Sequence, residues 1–189
     1  MEQQFTILGI PGSLRKASVN RGLLRAAQEA SPDGVTIEIF DLDDIPLYNG
    51  DVEAVGVPQP VQDFADAIRR ADALLIASPE YNYSVSGVLK NAIDWASRPS
   101  VKKSFRHKPI GILGASGGQY GTVRSQAVLR QVFASMIEGY VMIKPELLVN
   151  NASTRFDPEG NLTDDEIRER LGTFVEALVA WARRVDAGE

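Results

Sequence analysis

Short apolar runs and amphipathic stretches alternate along almost the whole chain. Phe5 to Ile10 (FTILGI) is apolar and β-branched and is closed by Pro11-Gly12, which predicts a fully buried strand. Val19 to Ala30 carries Leu23, Leu24 and Ala27 at helical spacing, with Ser18 or Asn20 as cap and Ser31-Pro32-Asp33-Gly34 as the stop. Val35 to Phe40 alternates as a strand does, and Asp41 to Pro58 reads as a long acidic connection containing Pro and Gly. Pro60 to Ala71 is a predicted helix with Val61, Phe64, Ala65 and Ile68 on one face, followed by a buried strand at Ala73 to Ala77. Ser86 to Trp95 predicts a helix through Leu89, Ala92 and Ile93, and Pro109 to Leu113 the next strand. In Thr122 to Ile137, Val123, Ala127, Val128, Val132 and Met136 fall in helical register; Tyr140 to Ile143 and Leu147 to Val149 supply the last strand material. The closing helix, Thr163 to Val185, opens on Thr163-Asp164-Asp165-Glu166, which reads as a capping box.

A chain that alternates strand and helix five times predicts a parallel sheet covered by helices on both faces. The class is α/β, and five strands in this length suggest the doubly wound, flavodoxin-like order, with ligands at the carboxyl ends of the strands beside the switch point. The site should therefore lie in the loops after the first, third and fourth strands. At 189 residues, against about 100–200 per domain, residues 1–189 are expected to form one domain.

Composition narrows the chemistry. Twenty Lys+Arg against 25 Asp+Glu give a net charge of −5, so no general positive field recruits nucleic acid or an anionic membrane, and a bound anion must be held locally. The absence of Cys removes thiol nucleophiles, thiolate zinc sites and iron–sulfur ligation, so redox chemistry requires a borrowed cofactor. The longest apolar run, Ala177 to Ala182, falls far short of the roughly 18–20 residues that span a bilayer. MEQQF lacks a basic start and an apolar core, and a cytoplasmic location is expected.

The first loop runs Gly9-Ile10-Pro11-Gly12-Ser13-Leu14-Arg15-Lys16-Ala17-Ser18-Val19-Asn20 from strand into helix. Small residues, unpaired N–H groups at a helix start, hydroxyls and one guanidinium suit a monophosphate, with Ser13, Arg15, Ser18 and Asn20 as donors. The same residue types also make a serine-capped turn. Neither a Walker A lysine nor G-x-G-x-x-G occurs, so a triphosphate with Mg²⁺ and a standard dinucleotide turn are not indicated. The third-strand loop, Ser78-Pro79-Glu80-Tyr81-Asn82-Tyr83-Ser84-Val85-Ser86-Gly87, offers flat faces and amides to a planar heterocycle, or is an amphipathic surface turn.

The fourth-strand loop, Gly114-Ala115-Ser116-Gly117-Gly118-Gln119-Tyr120-Gly121, contains G-x-S-x-G, the spacing of a nucleophile elbow. A serine hydrolase in such a fold needs a His after the Ser, and the sole histidine, His107, precedes Ser116 within the basic stretch Lys102 to Lys108. The glycines read better as close backbone approach to a ring. Asp41, Asp43 and Asp44 lack Ca²⁺-loop register and read as a solvated turn, so no metal is expected. Trp95 and Trp181 read as core or interface. Lys144-Pro145-Glu146 interrupts a strand, with a pair between Arg124 and Glu146 across subunits as a second reading.

Together the three loops resemble the NADPH-dependent FMN reductase family, particularly its quinone and chromate reductases. The resemblance rests on Gly12 to Asn20, on Pro79-Glu80-Tyr81-Asn82-Tyr83-Ser84 with Lys90-Asn91-Ala92-Ile93-Asp94-Trp95, and on Gly117-Gly118. It implies that Ser13, Arg15, Ser18 and Asn20 hold the FMN phosphate. It likewise implies that Pro79, Glu80, Tyr81 and Asn82 support the isoalloxazine and that Ser116, Gly117 and Gly118 face its pyrimidine side. A homodimer or dimer of dimers is implied, with the apolar face around Trp95 and the helix carrying Arg124 completing the site.

The implied activity passes electrons from NADPH or NADH through bound FMN to a small-molecule acceptor such as a quinone, flavin, azo compound or chromate, in a two-electron ping-pong cycle. No protein residue is expected to be catalytic, because the flavin carries the hydride chemistry. A one-electron carrier and a non-catalytic redox sensor are the competing readings of the same scaffold.

Overall fold

The computed structural model describes residues 4–135 and 137–186, so Met136 of the expected helical register lies outside the described residues. Four strands, β1 (Phe5–Pro11), β2 (Val35–Ile39), β3 (Ala73–Ala77) and β4 (Pro109–Ala115), stand in the order β2-β1-β3-β4. The fifth position is shared by two short strands, β5 (Tyr140–Val141) and β6 (Leu147–Val149), both parallel to β4. Lys144-Pro145-Glu146 separates them, as expected, and the Lys144–Pro145 bond is cis. All named pairings are parallel, which is the flavodoxin-like sheet.

Helices α1 (Val19–Glu29) and α6 (Asp165–Asp186) cover one face, where Leu23, Leu24, Phe174 and Leu178 pack on Ile7 and Leu75. On the other face α3 (Gln59–Arg70), α4 (Gly87–Ala96) and α5 (Val123–Ala134) bury Phe64, Ile68, Leu89, Ile93, Leu129 and Phe133 against Leu8, Leu74 and Ile112. Continuous apolar runs form β3 and β4 because both faces of these strands are buried. No described helix is long and apolar enough to cross a membrane.

Four local expectations change. The segment 41–58 contains a helix, α2 (Gly50–Val55), capped by the Asn49 side chain; it buries no residue and so leaves no periodic signature. The cap of α6 is Asp164, whose carboxylate accepts from Ile167 N at 3.0 Å, in place of a box opened by Thr163. Helix α5 buries Ser125, Gln126, Leu129 and Phe133 in full; of the expected stripe Val132 packs against the core, while Val123 stays 41% exposed. Trp95 is fully buried, donates from Nε1 to Pro46 O at 2.9 Å and packs edge-on to Tyr48, so it is intrachain core, not an interface residue.

Candidate functional site

At the carboxyl ends of β1, β3 and β4 the three loops meet around a cavity of about 160 Å³. The first loop is drawn in by two bonds from the chain's middle. Gly12 N donates to Ala77 O at 2.9 Å, and the Ser86 hydroxyl donates to Gly12 O at 2.7 Å. Ser18 caps α1 by accepting from Arg21 N. The first helical N–H groups, on Val19 and Asn20, have no intrahelical acceptor and carry the positive end of the helix dipole. Ser13, Arg15, Ser18, Val19 and Asn20 all line the cavity, and among the described residues the Arg15 guanidinium has no carboxylate partner. Buried hydroxyls, free helix N–H groups and an uncommitted guanidinium are the donor set of a single phosphate.

Asn20 also has a role that its residue type alone did not disclose. Its amide donates to Ala115 O at 3.0 Å and accepts from Ala115 N at 2.9 Å, so it fastens α1 to the end of β4. One of its two amide hydrogens remains for an anion.

From the second loop, Pro79, Glu80 and Tyr81 line the cavity, and the Tyr81 and Ser13 hydroxyls share a hydrogen bond at 3.3 Å. Tyr81 N and Ser84 N each donate to the other residue's carbonyl at 3.0 Å, closing a tight turn over Asn82 and Tyr83 at φ 49° and 65°. Two successive left-handed residues are the geometry of a type I′ turn, which explains an Asn in that position. Asn82, expected to touch the ring, is outside the cavity lining. The Glu80 carboxylate accepts from Arg124 N at 2.8 Å and Ser125 N at 3.2 Å, and pairs with Arg124 Nη1 at 2.9 Å. Its charge is thus spent on the first turn of α5. Within the chain Arg124 pairs with Glu80, and Glu146 pairs with Lys144 and lies 4.0 Å from Arg130.

In the third loop, Ala115, Ser116 and Gly117 line the cavity; Gly118 does not. The Ser116 hydroxyl donates to Gly121 O at 2.6 Å and accepts from Gly118 N, which makes it the brace of the turn. His107 precedes β4 and Ser116 follows it, about 25–30 Å apart at roughly 3.3 Å per residue, so no serine–histidine pair exists and the esterase reading fails. A side chain at Gly114 would meet Ser78 O at 2.2 Å, whereas one at Gly117 would meet nothing within 4 Å. Gly117 lines the cavity at a position where the fold itself does not require a glycine, which suits a flat ring lying against the backbone.

Val19 and Ala115 were missed as lining residues; both sit at element ends, where position and not residue type decides. A larger hollow, about 430 Å³, opens at the amino ends of the strands between Asp33, Asp72, Asp186 and Arg183. It lies away from the switch point and from every helix N-terminus described above. No group of three or more metal-ligating side chains occurs among the described residues.

Residues 5–154, which include every strand of the sheet, match the model of the NADPH-dependent FMN reductase family. The chain is 48% identical over 185 residues to the NAD(P)H-dependent FMN reductase PA1204 of Pseudomonas aeruginosa, covering 98% of this chain and 99% of that protein. It is 43% identical over 185 residues to an NAD(P)H:quinone oxidoreductase of Solanum tuberosum, covering 95% and 93%. The solved structure of FerB, a flavoenzyme NAD(P)H:(acceptor) oxidoreductase from Paracoccus denitrificans, superposes with a TM-score of 0.85 at 33% identity over 95% of this chain and 98% of that one. With the matched region spanning the whole sheet and relatives aligned nearly end to end, the chain belongs to the NADPH-dependent FMN reductase family.

Proposed function

We propose that this chain, acting as one FMN-binding domain, is an NAD(P)H-dependent quinone and flavin reductase working by a two-electron ping-pong cycle. The observation that carries the reading is the single cavity in which a phosphate-type donor set meets two ring-side loops at the ends of β1, β3 and β4. FMN held in this cavity would supply the two-electron hydride chemistry between NADPH or NADH and the second substrate.

The chain's own residues bind and orient. Arg15, Ser13, Ser18 and the α1 N–H groups hold the phosphate, and the remaining amide hydrogen of Asn20 adds to them. Pro79 and Tyr81 flank the ring from one loop, while the backbone of Ser116 and Gly117 meets its pyrimidine edge and offsets negative charge gathering there. Glu80 carries its loop without touching the reaction, since its carboxylate is occupied by α5. No side chain need act as a general acid or base, because the second substrate takes its protons from solvent. Azo compounds and chromate would be reduced by the same two-electron chemistry.

A second copy completes the assembly, a homodimer or dimer of dimers, over the outward side of the helix that carries Arg124, where Val123 is 41% exposed. The chain works in the cytoplasm, on small molecules and not on nucleic acid or membrane. Initial rates with NADPH and benzoquinone varied together test the cycle: parallel double-reciprocal lines are expected, and intersecting lines overturn it.

A further inference from the structure

The Tyr83 ring, at the tip of the second loop, is held toward the third loop by one side chain that plays no part in lining the cavity. The Arg124 guanidinium lies over the Tyr83 ring at 4.1 Å and within 5.3 Å of the Tyr120 ring. Tyr83 belongs to the second loop and Tyr120 to the third, so a single cation is shared by aromatic rings from both. The same guanidinium donates to Glu80 Oε1 at 2.9 Å, and Glu80 lines the cavity. Tyr83 is 70% exposed, and its ring has no described aromatic partner to hold it in place of Arg124.

We propose that Arg124 is a positioning residue that latches the Tyr83 tip to the Tyr120 loop and so sets the entry by which a planar acceptor reaches the ring. The proposal rests on the reductase reading above and names a determinant of acceptor specificity within it. The planar guanidinium is what the arrangement uses, because it can stack on rings and donate in its own plane at once; a lysine ammonium is a point charge and cannot do both. Glu80 keeps its two backbone bonds, from Arg124 N and Ser125 N, when the Arg124 side chain is lost. The base of the loop, and with it the phosphate end of the cavity, then stays in place while the tip is released.

The test uses full-length protein as wild type, Arg124→Ala and Arg124→Lys, with two readouts, the first on the FMN-reconstituted enzyme. In steady state with saturating NADPH, Arg124→Ala is expected to raise the benzoquinone KM about three- to fivefold, the size of an exposed cation–π contact, with a smaller fall in kcat. Arg124→Lys is expected to recover less than half of that change. The second readout is amide hydrogen exchange of residues 79–86 in protein without FMN, expected to quicken roughly three- to fivefold in Arg124→Ala while α1 and β1 exchange as before. An unchanged KM, full rescue by lysine, or loss of FMN affinity and thermal stability in step with KM overturns the latch. If wild-type protein does not bind FMN, the reductase reading falls, and the exchange of residues 79–86 still decides whether Arg124 orders the tip.

Discussion

Asn20 and Ala115 lie 95 positions apart and exchange two hydrogen bonds, Nδ2 to the carbonyl at 3.0 Å and the backbone N–H to Oδ1 at 2.9 Å. Asn20 is 2% exposed, so both bonds are shielded from bulk water in the native protein. Asn20→Ala orphans a buried donor and a buried acceptor and is expected to cost roughly 2–5 kcal/mol, read as a lower urea midpoint at constant slope. A loss below about 0.5 kcal/mol, the scale of an ordinary surface change, would show that Asn20 does not fasten α1 to β4.

Two glycines three positions apart separate folding from binding. Gly114→Ala drives a methyl against Ser78 O at 2.2 Å and Thr122 Oγ1 at 2.5 Å, and is expected to destabilise by roughly 1–3 kcal/mol or more. Gly117→Ala meets no protein atom within 4 Å, so its stability should stay within about 0.5 kcal/mol of wild type. Its methyl instead occupies the ring side of the cavity, and FMN affinity should fall about tenfold or more by fluorescence titration, a change of roughly 1.4 kcal/mol. Equal FMN affinity in Gly117→Ala would place the ring elsewhere.

Arg15 supplies the guanidinium of the phosphate cradle and is uncommitted among the described residues. Arg15→Ala is expected to weaken FMN binding by roughly 1.5–3 kcal/mol, about ten- to a hundredfold, through lost charge-assisted bonds. Riboflavin, which has no phosphate, should bind both proteins alike. A matching loss for riboflavin would assign Arg15 to the ring and not to the phosphate.

Asp164 ties stability to acid pH. Its carboxyl is held below the usual carboxylate range, first by the Ile167 N–H at the start of α6 and further by the Arg155 guanidinium. A lowered folded-state pKa means the stabilisation is present above the unfolded value and is lost as pH falls through the folded one. Asp164→Ala should therefore cost about 1 kcal/mol near pH 7, and the gap to wild type should close below about pH 4. A gap that is constant from neutral to acid pH would remove the charge from the explanation.

The strand runs and the helices that pack on them were legible because periodicity and burial agree there: FTILGI and ALLIA are apolar on both sides since both faces of the sheet are covered. The cavity was legible for the same reason, as a consequence of strand order together with residue types in three loops. Helix α5 was not read correctly. Its inner face carries Ser125, bonded to the Ser78 hydroxyl at 2.7 Å, and Gln126, which donates to Leu147 O at 3.0 Å. A helix that packs over strand ends meets backbone carbonyls and hydroxyls and must bring polar groups to them, so hydrophobic register alone, which finds Val132 against the core but leaves Val123 exposed, does not define the inner face. Helix α2 was invisible because it buries nothing. Glu80 and Ser116 line the cavity and Asn82 does not, and the side chains of the first two are bonded within the protein, a carboxylate on the start of α5 and a hydroxyl brace, while Asn82 takes a left-handed turn position. Residue type located the site; only the hydrogen bonds separate what shapes it from what faces into it.

The central claim is that the cavity holds a flavin that exchanges electron pairs with a nicotinamide and a quinone. Its most direct test is the anaerobic visible spectrum of FMN-reconstituted protein, taken before and after one equivalent of NADPH and again after excess benzoquinone. The account predicts that the flavin band bleaches with no lasting long-wavelength absorption and returns when quinone is added. Bound flavin that ignores both NADPH and NADH would contradict the reductase and leave a carrier or sensor, and failure to bind FMN would contradict the assignment of all three loops.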